Sequence, residues 1–214
     1  VNGAAGSSAV GIGGEIVSAF TFLIIGFASG GTVLISQYVG ARRGEDVEQT
    51  IGTLLTLFAL AAVFMTAVMY IAARPFLVLL RTPAESFENA CSYMQICMLG
   101  NFFVFEYNAI SSVLNGTGDS KRPLIFVTIS GTLNVFLDLL FVAGFKMGPN
   151  GSAWATVLSQ AVSFVISAAY LIRKSSIFRL TRRNLRLSRT KVLLIIKIGF
   201  PAAVQNSISS VSFM

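Results

Sequence analysis

Asp138 lies in the middle of an apolar stretch long enough to cross a membrane, and Asn134 precedes it by one helical turn. The stretch, residues 124–145, reads LIFVTISGTLNVFLDLLFVAGF and holds no other charge. An intramembrane carboxylate costs about 3 kcal/mol on insertion scales, so it normally faces a polar cavity or a partner and marks a candidate functional site. Residues four apart share one helix face. Asn134 and Asp138 therefore present an amide and a carboxylate together. The pair can offer oxygen ligands to a small cation, or a protonatable acid with a hydrogen-bonding neighbour.

The next apolar stretch carries a polar stripe at Ser152, Thr156, Gln160 and Ser163, again at helical spacing. Small and hydroxylated residues also serve plain helix packing in membranes. The turn between the two stretches is short, so the two helices run antiparallel as neighbours. At 1.5 Å per residue, Asp138 lies about 12 Å below the outer end of its helix, and Thr156 lies about five residues below the outer end of its own. Asp138, Asn134, Thr156 and Ser152 are thus expected to converge. Glu106 is a second intramembrane acid, beside Tyr107 and Asn108. It could relay protons or contact a cationic substrate, or it could pair with a hydroxyl or amide on a neighbouring helix. With Gln160 it is a candidate for lining a substrate cavity. Lys197 is close enough to a helix end to snorkel, and Glu15 sits near the outer entry of the first apolar stretch.

These residues must be positioned by membrane helices. The chain has 214 residues, 54% hydrophobic and 12% charged, against about 25% charged in ordinary globular domains. The fold class is therefore an all-α integral membrane protein. Spans of about 20 apolar residues cross a bilayer core, and six are expected: 12–38, 51–73, 90–114, 124–145, 152–172 and 192–214. Pro75, Pro83, Pro123 and Pro149 fall where helices should begin or end, and Pro201 should kink or break the last helix. The run FLVLL between Pro75 and Pro83 is too short to span and is expected along the interface. Residue 1 is Val, and the chain stops at Met214 inside an apolar run, so it reads as an internal fragment of a longer protein.

Orientation follows from the cations. The connections at 40–49, 115–123 and 173–191 hold two, two and eight Lys or Arg, whereas those at 74–89 and 145–151 hold two and one. By the positive-inside rule the first set is cytoplasmic, which puts residue 1 outside. The segment 173–191 carries eight cations and no acid within a chain of net charge +7. It reads as a cytosolic linker held near anionic headgroups, not as a nucleic-acid site.

Several chemistries are excluded. There is no histidine, which removes His-ligated metals and His-based triads. Cys91 and Cys97, six apart in one apolar helix, point to different sides and read as free buried thiols. The GTGD string 116–119 resembles the catalytic string of intramembrane aspartyl proteases, but Asp119 precedes Lys121, Arg122 and Pro123 in a cytosolic loop. There it is placed to cap the following helix. The N-x-[ST] strings at Asn115 and Asn150 fall in a cytosolic loop and a tight turn. Gly26, Gly30 and Gly31 resemble a small-residue packing face and not a nucleotide loop.

Taken together, GFASGGTVLISQYVGARRGE (26–45), YNAISSVLNGTGDSKRPL (107–124), TLNVFLDLLFVAGFKMGPNGSAWATVLSQ (132–160) and IGFPAAVQNSISS (198–210) resemble the multidrug and toxic compound extrusion family, nearest its bacterial branch. The resemblance implies two six-helix lobes, of which the chain would be about half. Residues 1–172 would be most of the amino-terminal lobe, 173–191 the linker between lobes, and 192–214 the start of the carboxy-terminal lobe. The first helix and the partner lobe would lie outside the chain. It further implies a cation-coupling site at Asn134 and Asp138 in an N-x-x-x-D pattern. Thr156 would join them through the AWAT string, and Ser152 through its carbonyl. No organic cofactor is implied, only Na⁺ or H⁺ as coupling ion. The expected activity is export of small organic, often cationic, compounds across a bacterial inner membrane, with membrane lipid as the surrounding partner. Alternatives are a lipid-linked saccharide flippase of the same superfamily, which usually needs a cationic cavity, and a membrane-embedded aspartyl protease, which needs two aspartates at matching depth.

Overall fold

The computed structural model describes residue 21 and residues 24–79, 84–174 and 187–212. Glu15, Pro83, the first part of the 12–38 span and most of the basic linker lie outside the described residues. Every regular element among the described residues is helical: α1 (Ile24–Gly40), α2 (Gly44–Leu79), α3 (Ala84–Gly116), α4 (Lys121–Asp138), a π-helical segment (Leu139–Gly144), α5 (Pro149–Lys174) and α6 (Arg189–Ser212). Apolar residues dominate these segments, and in hydrocarbon a helix satisfies its own backbone. Pro149 opens α5 and Pro123 sits in the first turn of α4, positions where a missing N–H costs nothing.

Four of these helices are long and apolar enough to cross a membrane: Gly44–Pro75, Phe87–Gly116, Lys121–Gly144 and Pro149–Arg173. The described part of α1 is shorter, and α6 is diluted by Lys191, Lys197 and a polar end. The protein is thus an all-α, multi-pass membrane protein, as its composition demands.

Two expectations about proline fail. Pro75 does not end α2, which continues to Leu79. The residues after Pro75 extend the helix and do not lie along an interface on their own. The reason is packing: Ala73 and Leu77 are buried against Ala90, Cys91, Met94 and Met98 of α3. That contact holds the last turn in helical geometry despite the donor lost at Pro75. At Pro201, the expected place of a kink or a break, α6 is not broken and runs through the proline.

α3 is the central column. It packs on α2 through Phe58–Phe105 and on α5 through Phe102 and Phe103 against Phe164. α4 lies outside it on α5, burying only Pro123, Phe126 and Ser130 while Ile125, Val127, Val135 and Phe136 stay exposed. Cys91 and Cys97 are both free and buried.

The glycines of α1 do form a packing face. Gly26 meets Ala203, and a Cβ at Gly30 would fall 2.7 Å from the Gly199 nitrogen. α1 and α6 therefore cross at backbone contact, as small residues permit. Gly31 instead faces Leu54 of α2 and Ser112 of α3.

Candidate functional site

The α4–α5 pair is antiparallel because the connection is a tight turn. Lys146 and Gly148 both have positive φ, 55° and 60°, which reverses the chain within four residues. Glycine takes that conformation without strain. The reversal sets the polar face of α4 against the polar face of α5.

Along that interface the hydrogen bonds form a ladder. Towards the amino-terminal end of α4, Ser163 Oγ donates to the Phe126 carbonyl at 3.4 Å. Ser130 Oγ donates to the Ser159 carbonyl at 2.9 Å, and both serines are buried. One turn further, Asn134 Nδ2 donates to Thr156 Oγ1 at 3.4 Å, and Thr156 Oγ1 donates to the Ser152 carbonyl at 3.0 Å. The Asn134 amide thus uses its nitrogen on Thr156.

Asp138 is the next residue on this face of α4 and its last α-helical residue. Its Oδ1 is buried and has no hydrogen-bond partner among the described residues. A buried acceptor without a donor is costly. The π-helical segment begins directly after it, marked by Phe145 N donating to the Leu140 carbonyl five residues back at 2.9 Å. Such widened turns are frequent at functional sites. No local pattern in the sequence foretold it.

Three of the four expected coupling residues, Asn134, Thr156 and Ser152, thus form one bonded chain, with Asp138 a turn beyond on the same face. Their donor set is a carboxylate, an amide oxygen, a hydroxyl and a carbonyl. All are hard oxygens, which suit Na⁺, and a single carboxylate suits a monovalent cation or a proton. No group of three or more His, Cys, Asp or Glu residues gathers among the described residues.

Tyr93 of α3 was not singled out by sequence. It packs against Ala153 of α5 beside Cys97. Ser130 was legible but overlooked, since Ser130, Asn134 and Asp138 repeat at intervals of four.

The remaining candidates lie elsewhere. Glu106 is 7% exposed, and its Oε1 has no hydrogen-bond partner among the described residues. Gln160 is half-buried on α5, one turn beyond Thr156. A wholly apolar cavity of about 310 Å³ lies between α1, α2, α3 and α6, and neither Glu106 nor Gln160 lines it. Lys197 is exposed.

The protease geometry is absent. Asp119 and Asp138 stand at opposite ends of α4, about 28 Å apart at the helical rise. Asp119 Oδ2 accepts a hydrogen bond from Tyr170 Oη at 2.8 Å, and Arg122 lies over that ring. The N-cap position of α4 belongs to Ser120, not to Asp119 as expected. The GTGD loop is thereby pinned to the end of α5.

Comparison with known proteins agrees with this architecture. The MatE family model matches residues 2–140. The chain is 31% identical over 195 residues to the probable multidrug resistance protein YoeA of Bacillus subtilis, covering 88% of the chain and 42% of that protein. It is 31% identical to the probable multidrug resistance protein YpnP of the same organism, covering 95% and 45%. A solved inward-facing multidrug resistance MATE transporter of the MOP superfamily superposes with a TM-score of 0.91 at 25% identity, over 97% of this chain and 47% of that one. An outward-facing structure gives 0.86 at 26% identity, over 92% and 44%. The chain thus spans about half the length of the relatives it matches. With residues 2–140 matched and the helical bundle superposed, the chain belongs to the MatE family of membrane transporters.

Proposed function

We propose that this chain is most of the amino-terminal lobe of a secondary active multidrug efflux transporter, which exports small organic, often cationic, compounds in exchange for Na⁺ or H⁺. The observation that carries the reading is the buried Asp138 oxygen that no donor satisfies, next to a face of amide, hydroxyl and carbonyl oxygens. A bound cation or proton supplies what that oxygen lacks. The names of the relatives support the multidrug cargo.

In this reading Asp138 is the coupling residue. Asn134, Thr156 and the Ser152 carbonyl complete the ion's shell. Glu106 and Gln160 contribute to substrate handling, and residues 173–191 form the cytosolic linker to the second lobe. Rocking of one lobe against the other gives alternating access. The parent protein sits in a bacterial inner membrane with the linker in the cytoplasm.

The test is efflux by the full-length parent carrying Asp138→Asn. Loss of gradient-driven export, with normal membrane insertion, is the expected outcome. Wild-type drug resistance with unchanged ion dependence would remove Asp138 from the coupling role.

A further inference from the structure

At one end of the bundle α6 and the turn between α1 and α2 each place a cation over one aromatic ring of α1. Lys191, in the first turn of α6, places its Nζ 3.8 Å from the centre of the Tyr38 ring near the end of α1. The same Nζ pairs with Asp46 Oδ1 of α2 at 2.6 Å. Arg43 takes the other Asp46 oxygen at 2.7 Å and lies over the same ring at 5.2 Å. The Lys191 side chain is only 7% exposed. A buried ammonium needs both its counter-ion and its ring, since removing one partner of a buried pair leaves an uncompensated charge. One residue before α6 begins, the Ser188 amide donates to Thr53 Oγ1 at 3.3 Å, a further tie to α2.

Higher along α6 the hold is different. The apolar cavity opens between Ile195 and Phe27, Phe58 and Phe105, so this part of the interface is incompletely filled. Here α6 meets α1 through small and apolar surfaces, among them Gly30–Gly199, Gly26–Ala203 and Phe27–Gly199. The charged grip on α6 is thus concentrated at its cytosolic end.

We propose that Lys191, Asp46, Arg43 and Tyr38 form a cytoplasmic clasp that holds α6 on α1 and α2 and parts when the cytoplasmic side opens. This rests on the transporter reading in treating α6 as the first helix of the moving lobe. The clasp stores a two-state choice: closed, Lys191 is shared by carboxylate and ring; open, it is hydrated at the membrane surface. Arg43 remains with Asp46 in both states, because their spacing of three keeps them on one short segment.

The test uses spin labels at cysteines replacing the exposed Gln37 and Thr190 in the full-length parent, reconstituted in lipid. Asp46→Asn and Lys191→Met should each raise the long-distance population about tenfold, and Lys191→Arg should keep the short one. The reversed pair, Asp46→Lys with Lys191→Asp, should restore it. Unchanged distance distributions in both single variants would overturn the clasp. Should both variants fail to insert, the wild-type background decides: bridging the same two cysteines with a short bis-maleimide should arrest efflux. Full efflux by bridged protein would overturn the clasp as well. The distance arm needs no transport, and efflux by the unbridged protein tests the transporter reading separately.

Discussion

Asn134 of α4 and Thr156 of α5 are joined side chain to side chain at 3.4 Å, and the same Thr156 hydroxyl is held by the Ser152 carbonyl at 3.0 Å. This link fixes the register of two antiparallel helices at the level where Asp138 presents its unpaired oxygen. In the proposed transporter it would hold the Asn134 and Thr156 side chains in place ahead of a coupling ion, which lowers the ordering cost of binding.

Thr156→Val keeps the side-chain shape but deletes the hydroxyl oxygen. In the full-length parent it should weaken apparent cation affinity by about tenfold, equal to about 1.4 kcal/mol. The ion dependence of efflux into vesicles measures this. An unchanged half-saturating Na⁺ or H⁺ concentration would place Thr156 outside the ion's shell.

Glu106→Gln should leave thermal stability unchanged or slightly raised. The Glu106 Oε1 has no partner to lose, and an amide of the same shape carries no charge to bury. The midpoint of heat-induced aggregation in detergent reads this out. A drop equivalent to more than about 2 kcal/mol would reveal a hidden partner and argue for a structural role.

Gly30→Val should abolish a folded product. Its Cβ alone would meet the Gly199 nitrogen at 2.7 Å, where backbone cannot yield. Overpacking costs about 1–3 kcal/mol or more. Gly40→Val, at an open position, is the control. Size-exclusion profiles of fluorescent fusions distinguish them, and equal monodisperse peaks would refute close packing of α1 on α6.

Tyr170→Phe removes one hydrogen bond, to Asp119, while the ring keeps its edge contact with Phe126 at 5.7 Å. It should cost about 1 kcal/mol, whereas Tyr170→Ala should cost about 3–5 kcal/mol. Paired thermal melts check the ratio. Equal losses would mean that the hydroxyl, not the ring, anchors the GTGD loop.

A single cysteine at Lys146 should react with an impermeant maleimide added to intact cells, and one at Ser120 should not. Both positions are exposed in the structure, so labelling reports the side of the membrane. Reversed labelling would invert the topology drawn from the cations.

Sequence alone determined that this is a bundle of membrane helices, because hydropathy and the cost of exposed backbone in lipid leave few choices. It also gave an expected orientation, through the distribution of Lys and Arg, and the candidate status of Asp138, through the cost of a charge in hydrocarbon. Helical periodicity was enough to place Asn134 with Asp138 and Thr156 with Ser152, since these relations lie within single helices. Tertiary structure decided whatever depends on contacts between helices. It carried α2 through Pro75, because Leu77 packs on Met94 and its neighbours in a way no local rule anticipates. It set Tyr93 against Ala153 and turned Asp119 towards Tyr170. It assembled Tyr38, Asp46 and Lys191, which are separated by up to 153 positions in the chain, around one ring. Periodicity says which residues share a face; only the packed bundle says what that face meets.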